Sequence, residues 1–229
     1  RPPRSTLFPY TTLFRSLKTP LTSIRGFIET LRQGAINKPE VAGHFLDIID
    51  IEAERLHKLI SDVLALSEIE YLKEEKDVES FDIRTLIDEV IVLLDDAAAE
   101  KKISLISDDD EKPLLVTANS YRIKQILINL VENAIKYNRQ NGRVYIHVFR
   151  DAQAKLVLRV RDTGIGIAAE HQDRIFERFY RVDKSRSREL GSTGLGLSIV
   201  KHIAQLYGGF ATVRSEPGVG SEFTILLNI

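Results

Sequence analysis

The sequence predicts an α+β protein in which a helical hairpin is followed by an α/β sandwich. Two series of apolar residues recur at helical spacing and are separated by a Gly…Pro break. Beyond a charge-rich segment at 71–78, short strand patterns alternate with helical ones. A chain of 229 residues is long enough for two modest domains. We therefore expect a first segment at 1–15, a hairpin at 16–71 and a sandwich domain at 78–229.

The first 15 residues look foreign to the rest of the chain. They contain a near-repeat, Thr6-Leu7-Phe8 and Thr12-Leu13-Phe14, and prolines that suit no helix. They resemble the translated adapter sequence that contaminates assembled reads, and the alternative is a disordered natural linker. The chain contains no methionine, so we expect it to be a fragment of a longer protein.

The hairpin is predicted from two apolar stripes. Gly34 is expected to stop the first helix and Pro39 to begin the second. A lone hairpin cannot bury both stripes, so the simplest solution is a homodimer that forms a four-helix bundle. The alternative is a solitary hairpin packed on its own second domain. The stripes consist of Leu17, Leu21, Ile24, Ile28 and Leu31, then Phe45, Ile49, Leu56, Leu59, Val63 and Leu66.

The sandwich elements are predicted from periodicity and from capping residues. A strand near Phe81 precedes a helix at 84–99, and Asn119 is a good N-cap for a long helix through Tyr137. A further helix is expected at 195–207. The remaining strands are predicted at 103–106, 114–117, 143–150, 156–161, 210–214 and 222–227.

Composition excludes several classes of function. A net charge of −1 provides no general attraction to nucleic acid, so we expect no nucleic-acid partner. No stretch approaches the ~18 apolar residues of a membrane span, so membrane contact is expected only through segments absent from this chain. The absence of cysteine excludes disulfides, Cys-ligated zinc and thiol nucleophiles.

The first of four ordered motifs lies on the long helix. Asn129 and Asn133 are four residues apart, so their amides project from one face. Such amides need partners when buried, and a hydrated Mg²⁺ shared with phosphates would supply them. Lys136 could neutralise phosphate, and Tyr137 offers a flat surface for a base. The alternative is a pair of ordinary surface amides.

The second and third motifs come after a predicted strand. Asp162 at the strand end could accept a hydrogen bond from an exocyclic amine such as that of adenine. Gly164 and Gly166 would let the backbone approach a ligand closely, although a simple Asp-Thr-Gly turn is the alternative. Phe179 and Arg181 belong to an aromatic and basic cluster that could clamp a mobile lid or form a helix packing face.

The fourth motif is a glycine-rich turn before a helix. Such turns aim backbone N–H groups at phosphate oxygens. This one does not end in Gly-Lys-Ser/Thr like a P-loop, and it does not follow a strand in a βαβ unit. The four motifs in this order are highly specific. The candidate residues of the turn are Gly191, Thr193, Gly194, Leu195 and Gly196.

The order of the motifs resembles the N, G1, F and G2 boxes of the histidine-kinase ATP-binding domain, which is related to gyrase-type ATPases and Hsp90. The segment 17–22, Leu-Lys-Thr-Pro-Leu-Thr, resembles the end of the phosphoacceptor box of these kinases. From Leu17 onward the chain is most similar to phosphate-responsive or cell-wall-sensing kinases of Gram-positive bacteria.

This resemblance implies a homodimeric sensor kinase that binds ATP and Mg²⁺, with Asn133 on the metal, Lys136 on phosphate and Asp162 reading adenine. It implies phosphorylation of a histidine and transfer to an aspartate of a response regulator. The ATP lid would lie around 181–192. The chain would be the cytoplasmic portion of a protein anchored in the cell membrane.

The resemblance also separates kinase from ATPase. The ATPases of this superfamily carry a glutamate general base four residues before the magnesium asparagine, where this chain has Asn129. An amide cannot act as a base at neutral pH, which favours transfer to a protein nucleophile over hydrolysis.

The phosphoacceptor itself is missing. The family pattern reads Ser-His-Glu-Leu-Lys-Thr-Pro, but Arg15 occupies the histidine position and Ser16 the acidic one. Arginine stays protonated and cannot attack phosphorus, so autophosphorylation is predicted to be lost. Thr19 remains where the family pattern implies a phosphatase role. No other histidine precedes such a motif: His44, His57, His147, His171 and His202 all lack it.

Two rival functions stay open. A catalytically silent ATP-binding scaffold is favoured by the missing phosphoacceptor. A serine-kinase relative of the anti-sigma type is disfavoured by the helical hairpin.

Overall fold

The computed structural model describes residues 7–71, 75, 77–108, 112–183 and 192–229, with side chains from Thr12 onward. These residues form two compact units. The first contains the described residues up to Ala65 together with 178–183 and 192–195. The second contains the described residues of Leu66–Glu177 and Gly196–Ile229.

The first unit is built on a helical hairpin. Helix α1 (Leu7–Arg32) and helix α2 (Pro39–Tyr71) are joined by a short 3-10 turn (Ala35–Asn37). Gly34 ends α1 in a left-handed conformation with φ of +116°, which glycine adopts without a Cβ penalty. The rings of Phe27 and Phe45 lie 5.1 Å apart between the two helices. The predicted stop and start of the hairpin therefore agree with the structure.

The beginning of α1 differs from the expectation for residues 1–15. The helix already begins at Leu7, so the view that the prolines there suit no helix is wrong for Pro9. Proline is tolerated in the first turn because the N–H groups of that turn have no intrahelical acceptor. Residues 1–6 lie outside the described part of the chain, and the foreign origin of the segment stays a prediction.

The apolar stripes divide into buried and exposed residues. Leu31, Leu59 and Leu66 are buried within the chain. Leu21 and Ile51 are 51% and 61% exposed. Since Phe27 lies opposite Phe45 in the antiparallel hairpin, Leu21 and Ile51 lie at the same level of it. Other large apolar side chains along the hairpin are exposed as well, among them Ile28, Ile36, Val41, Leu46, Ile60 and Leu64.

We expect the double variant Leu21→Asp with Ile51→Asp to be monomeric, because each lost apolar burial weakens a helical dimer by about 1.5–3 kcal/mol. Sedimentation of the variant against the unchanged chain measures this. Gln33→Asp with Asn37→Asp is the matched control, since it adds two charges at exposed polar positions of the hairpin turn. A double apolar variant that still sediments as a dimer contradicts the assignment of this face.

The second unit is an α/β sandwich. Its strands are β1 (Glu79–Asp82), β2 (Ser104–Ser107), β3 (Leu115–Ala118), β4 (Arg143–Arg150), β5 (Leu156–Asp162), β6 (Phe210–Glu216) and β7 (Gly220–Leu227). The main sheet has the strand order β2-β4-β5-β7-β6, with β2 and β4 parallel and the other pairs antiparallel. A two-stranded sheet pairs β1 with β3.

Helices α3 (Ile83–Glu100) and α6 (Gly196–Leu206) both pack against α4 (Ser120–Lys136), and α5 (Ala169–Gln172) is a single turn. The core lies between helices and sheet, where the inward residues of β4, β5 and β7 align in rows such as Ile146, Val160 and Phe223. The helices and strands predicted for this unit all form, with ends that differ by one or two residues.

Side-chain caps fix where two of these helices begin. The side chain of Asn119 accepts a hydrogen bond from the Arg122 N–H at 3.2 Å, as predicted for an N-cap. The Asp82 carboxylate accepts from the Arg84 N–H at 3.1 Å and caps α3, a cap that was not predicted from the sequence. These caps set the start of α3 and of α4, the helix that carries the first motif.

The unit boundaries differ from the predicted domains in two places. The last turns of α2 belong to the second unit, because Leu66 and Ile69 are buried and Glu68 lies 2.9 Å from the buried Arg122 guanidinium. The described residues among 178–195 belong to the first unit, although 78–229 was expected to form one domain. In the part of the chain that is described, no helix has the length and apolar character of a membrane span.

Candidate nucleotide site

Helix α4 carries the two asparagines of the first motif in different environments. Asn129 is only 9% exposed, and its Nδ2 donates to the Gln125 carbonyl at 2.8 Å. Its Oδ1 faces Gly196 so closely that a Cβ at that position would overlap it. Asn129 therefore fixes the start of α6 against α4, a packing role that was not predicted from the sequence.

Asn133 and Lys136 are half-buried on the same helix. Among the described residues, the Asn133 side chain makes no hydrogen bond, so its amide oxygen is available to a ligand. The Lys136 ammonium lies 3.5 Å from the Glu132 carboxylate one turn earlier. This end of α4 thus presents an unused amide beside a cation.

Asp162 ends β5 and is 6% exposed. Its Oδ1 accepts hydrogen bonds from the Gly164 N–H at 2.8 Å and the Ser221 N–H at 3.3 Å. Its Oδ2 has no hydrogen-bond partner among the described residues, so this oxygen can accept from a ligand. Burial raises the pKa of the Asp162 carboxyl to about 6, and the two backbone hydrogen bonds oppose that shift.

The loop after Asp162 lies directly on the end of α4. The Ile165 N–H donates to the Tyr137 carbonyl at 3.1 Å. A Cβ at Gly164 would overlap that carbonyl oxygen, so only glycine permits this approach. Gly166 has φ of +71° and packs against the Glu216 carbonyl, where a side chain would be both strained and blocked. Second-unit packing therefore brings Asp162, Gly164, Gly166, Tyr137 and α4 together.

Several other predicted site residues belong to the first unit. Phe179 has a positive φ of 62°, and its N–H donates to the Gly194 carbonyl at 2.8 Å. The Thr193 hydroxyl donates to the buried Asp62 carboxylate at 2.6 Å, and Leu195 is fully buried. Arg181 is half-buried. Gly191 and most of the predicted lid lie outside the described residues.

The position predicted for the phosphoacceptor lies on the first helix. Arg15 is exposed on α1, and its carbonyl accepts a hydrogen bond from the Thr19 hydroxyl at 3.0 Å. Both side chains face solvent in this chain. A residue at position 15 is therefore held in a formed helix, two turns from its start at Leu7.

Three residues that sequence reasoning missed support the Asp162 loop. Ser215 on β6, Ser221 on β7 and Gln172 on α5 hydrogen-bond to the loop or to its neighbours. Serine and glutamine are common at protein surfaces, so the sequence offered no signal. Only the sheet register, which pairs Ser215 with Ser221, brings two of them together.

The donor set suits Mg²⁺ held jointly with phosphates. The described residues contain no group of three or more His, Cys, Asp or Glu side chains that could hold a metal by themselves. An available Asn133 amide fits a hard cation that keeps most of its waters and binds substrate phosphates.

Comparison with known proteins identifies both parts of the chain. Residues 15–72 match the His Kinase A (phospho-acceptor) domain. Residues 118–229 match the histidine kinase-, DNA gyrase B-, and HSP90-like ATPase family, which implies ATP binding.

Curated relatives agree. The chain is 36% identical over 212 residues to the sensor protein kinase WalK of Staphylococcus aureus. The aligned region covers 92% of this chain and 51% of that relative. WalK of the JH9 strain matches at the same identity over 34% of its length. The chain thus spans between a third and half of these relatives.

Solved structures give the same answer. The Acinetobacter baumannii histidine kinase AdeS superposes with a TM-score of 0.73 at 28% identity, covering 92% of this chain and 95% of AdeS. The histidine kinase ThkA in complex with the response regulator TrrA gives 0.74 at 28% identity, over 95% of this chain and 60% of ThkA. With both domain matches in the expected order, the chain belongs to the sensor histidine kinases of two-component systems.

Proposed function

We propose that this chain is an ATP- and Mg²⁺-dependent kinase core that retains its nucleotide site but lacks a phosphoacceptor. The observation that carries the proposal is the Asp162 carboxylate, which is buried, held through Oδ1 and free to accept through Oδ2. A single fixed acceptor of this kind matches the exocyclic amine of adenine, which is a donor. A related structure, full-length ShkA, was solved in complex with AMPPNP, an ATP analogue.

Each second-unit residue has a role in the proposed binding mode. Asp162 reads adenine, and the Gly164 and Gly166 backbone lets the base approach. Asn133 would hold Mg²⁺ through its amide oxygen, and Lys136 would neutralise phosphate charge. When bound, Mg²⁺ supplies charge neutralisation between phosphates. The first-unit residues Phe179, Arg181, Thr193, Gly194 and Leu195, together with Gly191, keep the lid and phosphate roles that the family implies.

Phosphoryl transfer to protein is favoured over hydrolysis. The Asn129 amide, at the general-base position of the related ATPases, donates to the helix backbone and cannot accept a proton from water. Glu132, the nearest carboxylate in sequence, is paired with Lys136. No activated water is therefore expected in this site, and the natural acceptor would be a histidine side chain.

The partners proposed for the whole protein are those of its relatives. The His Kinase A domain implies dimerisation, and the exposed apolar face of the hairpin suits a second copy of this chain. We propose a response-regulator receiver domain as the phosphate recipient, by analogy with ThkA and TrrA. Since this chain covers about half or less of the WalK proteins, we propose that it is the cytoplasmic part of a membrane-anchored kinase.

A second function, a catalytically silent ATP-binding scaffold, is favoured by one observation. Arg15 replaces the nucleophile and its guanidinium stays protonated, so the chain as written offers no acceptor at this position. Both functions require nucleotide binding, and they differ in whether restoring the acceptor restores phosphorylation.

We test the site through its metal dependence. ATP affinity measured by equilibrium dialysis should fall when Mg²⁺ is withdrawn from the unchanged chain. In Asn133→Ala the affinity should be weakened and nearly independent of Mg²⁺, because the amide oxygen that shares the ion is gone. Gln140→Ala, at an exposed position just beyond α4, is the control and should behave like the unchanged chain. If ATP affinity in Asn133→Ala depends on Mg²⁺ as it does in the unchanged chain, the assignment of Asn133 to the metal is wrong.

A further inference from the structure

The exit of the Asp162 loop is held from two sides by side chains that no motif contains. The Ile167 N–H donates to the Ser215 hydroxyl at 2.7 Å. The Ile167 carbonyl accepts from the Gln172 amide at 2.9 Å. Both peptide groups of Ile167 are therefore fixed by side chains, one from β6 and one from α5.

The two side chains are themselves joined. The Gln172 amide also donates to the Ser215 carbonyl at 2.8 Å. Since both acceptors of this amide are carbonyls, its orientation is fixed by its partners. Gln172 and Ser215 are half-buried, so their hydrogen bonds are partly shielded from water. We call these two residues the loop clamp.

The loop clamp also reaches the group that reads the base. The Ser215 hydroxyl lies 2.9 Å from the Ser221 hydroxyl and 2.8 Å from the Gly220 carbonyl. The Ser221 N–H donates to the Asp162 Oδ1. One hydroxyl thus connects the exit of the loop to the strand that orients the Asp162 carboxylate.

The connection matters because the residue before Ile167 is a glycine. Gly166 has a left-handed conformation with φ of +71°. The atoms nearest to a Cβ on Gly166 would belong to Glu216 and Pro217, at the end of β6 and just beyond it. A glycine-containing loop has many accessible conformations, so fixing Ile167 limits those that the Asp162–Gly166 segment can adopt.

We propose that Gln172 and Ser215 are positioning residues that set the preference of this site for adenine over guanine. They act through the angle of the Asp162 carboxylate and need not touch the nucleotide. Adenine presents a donor where guanine presents an acceptor oxygen, so discrimination depends on how firmly Oδ2 is aimed at that position. This inference rests on the proposed function, since it requires that the site bind ATP.

The test compares dissociation constants for MgATP and MgGTP by equilibrium dialysis on the full chain. The unchanged chain should prefer ATP. Ser215→Ala and Gln172→Met should each weaken ATP binding about fivefold while GTP binding changes little, so the preference narrows. Ser215→Thr keeps the hydroxyl and should retain most of the preference. Thr212→Ala on the same strand and Asp173→Asn beside Gln172 are exposed controls that should match the unchanged chain.

The outcomes separate the inference from the function it rests on. If the unchanged chain binds ATP with a preference over GTP and both clamp variants keep that ratio, the inference fails while the proposed function stands. Equal weakening for both nucleotides assigns the clamp a purely structural role and also overturns the inference. If the unchanged chain binds neither nucleotide, the proposed function fails, and the inference fails with it. Because the variants lie on different elements, a folding defect in one leaves the other to decide.

Discussion

Asp162→Asn is expected to lower ATP affinity by roughly tenfold to a hundredfold, the largest loss of any single change in the nucleotide site. Two backbone N–H groups require an acceptor, so the asparagine oxygen must occupy the Oδ1 position. The asparagine NH₂ then faces the ligand, where it opposes the adenine amine, donor against donor. The same NH₂ matches the guanine oxygen, so GTP binding should weaken less than ATP binding.

We expect the pKa of Asp162, which burial raises to about 6 from 3.8, to set the pH dependence of ATP binding. Because Oδ1 already accepts two N–H groups, protonation would make Oδ2 a donor facing the adenine amine, so ATP affinity should rise between about pH 5 and 7 and then level off. For folding without nucleotide the sign is opposite. The folded chain binds this proton more tightly than the unfolded chain, so the stabilisation is complete below pH 3.8 and is lost as the pH rises through 6.

Asp162→Asn should abolish both effects of pH, because the amide does not titrate. Calorimetric titration with ATP from pH 5 to 8, with thermal unfolding of the same samples, measures the two together. Asp95→Asn, at an exposed position on α3, is the control and should retain both dependences. An Asp162→Asn protein that binds ATP with normal affinity would exclude this carboxylate as the adenine acceptor.

Much of the sandwich was predictable because its sequence pattern matches its structure. The alternation in β4 and the helical spacing along α4 specify element types, and Asn119 at the head of α4 is a cap in the structure as predicted. The family match confirms the expected fold and the expected order of the two domains. Register and pairing were not predictable, because they depend on contacts distant in sequence such as that between β5 and β7.

The site was predictable as a set of motifs and less so as a geometry. Asp162 was predicted because its motif is the second of four that occur in a specific order, and by itself that motif could have been a simple turn. The assignment of Asn129 to the ligand stays a prediction, and its amide has in addition a packing role against the helix backbone and Gly196 that the sequence did not indicate. Periodicity cannot distinguish an amide that binds a ligand from one that supports a neighbouring helix. The early start of α1 was missed because the prolines were expected to be incompatible with a helix. Pro9 lies in the first turn, where proline is tolerated.

Restoring the phosphoacceptor is expected to restore autophosphorylation. In Arg15→His with Ser16→Glu, an imidazole with a nucleophilic lone pair replaces a protonated guanidinium at an exposed position of a formed helix. The nucleotide-site residues are unchanged by this repair. We therefore expect phosphoryl transfer to the protein to be undetectable in the chain as written and measurable in the repaired chain. Higher nucleotide affinity alone could not produce this difference.

Two controls isolate the nucleophile and the site. Arg15→Gln with Ser16→Glu removes the same positive charge and adds the same acidic neighbour without supplying a nucleophile, so it should remain unlabelled. The repaired chain carrying Asp162→Asn should label weakly at limiting ATP and recover at high ATP, because only binding is impaired.

The central claim is that the chain binds ATP but lacks an acceptor for its phosphate. The direct measurement is incubation with γ-labelled MgATP, followed by counting label on the native protein and again after denaturation in base. For the chain as written, we predict label retained on the native protein and none after denaturation. The repaired chain should keep acid-labile, base-stable label after denaturation. Covalent label on the chain as written, or no label on either native protein, would contradict the account.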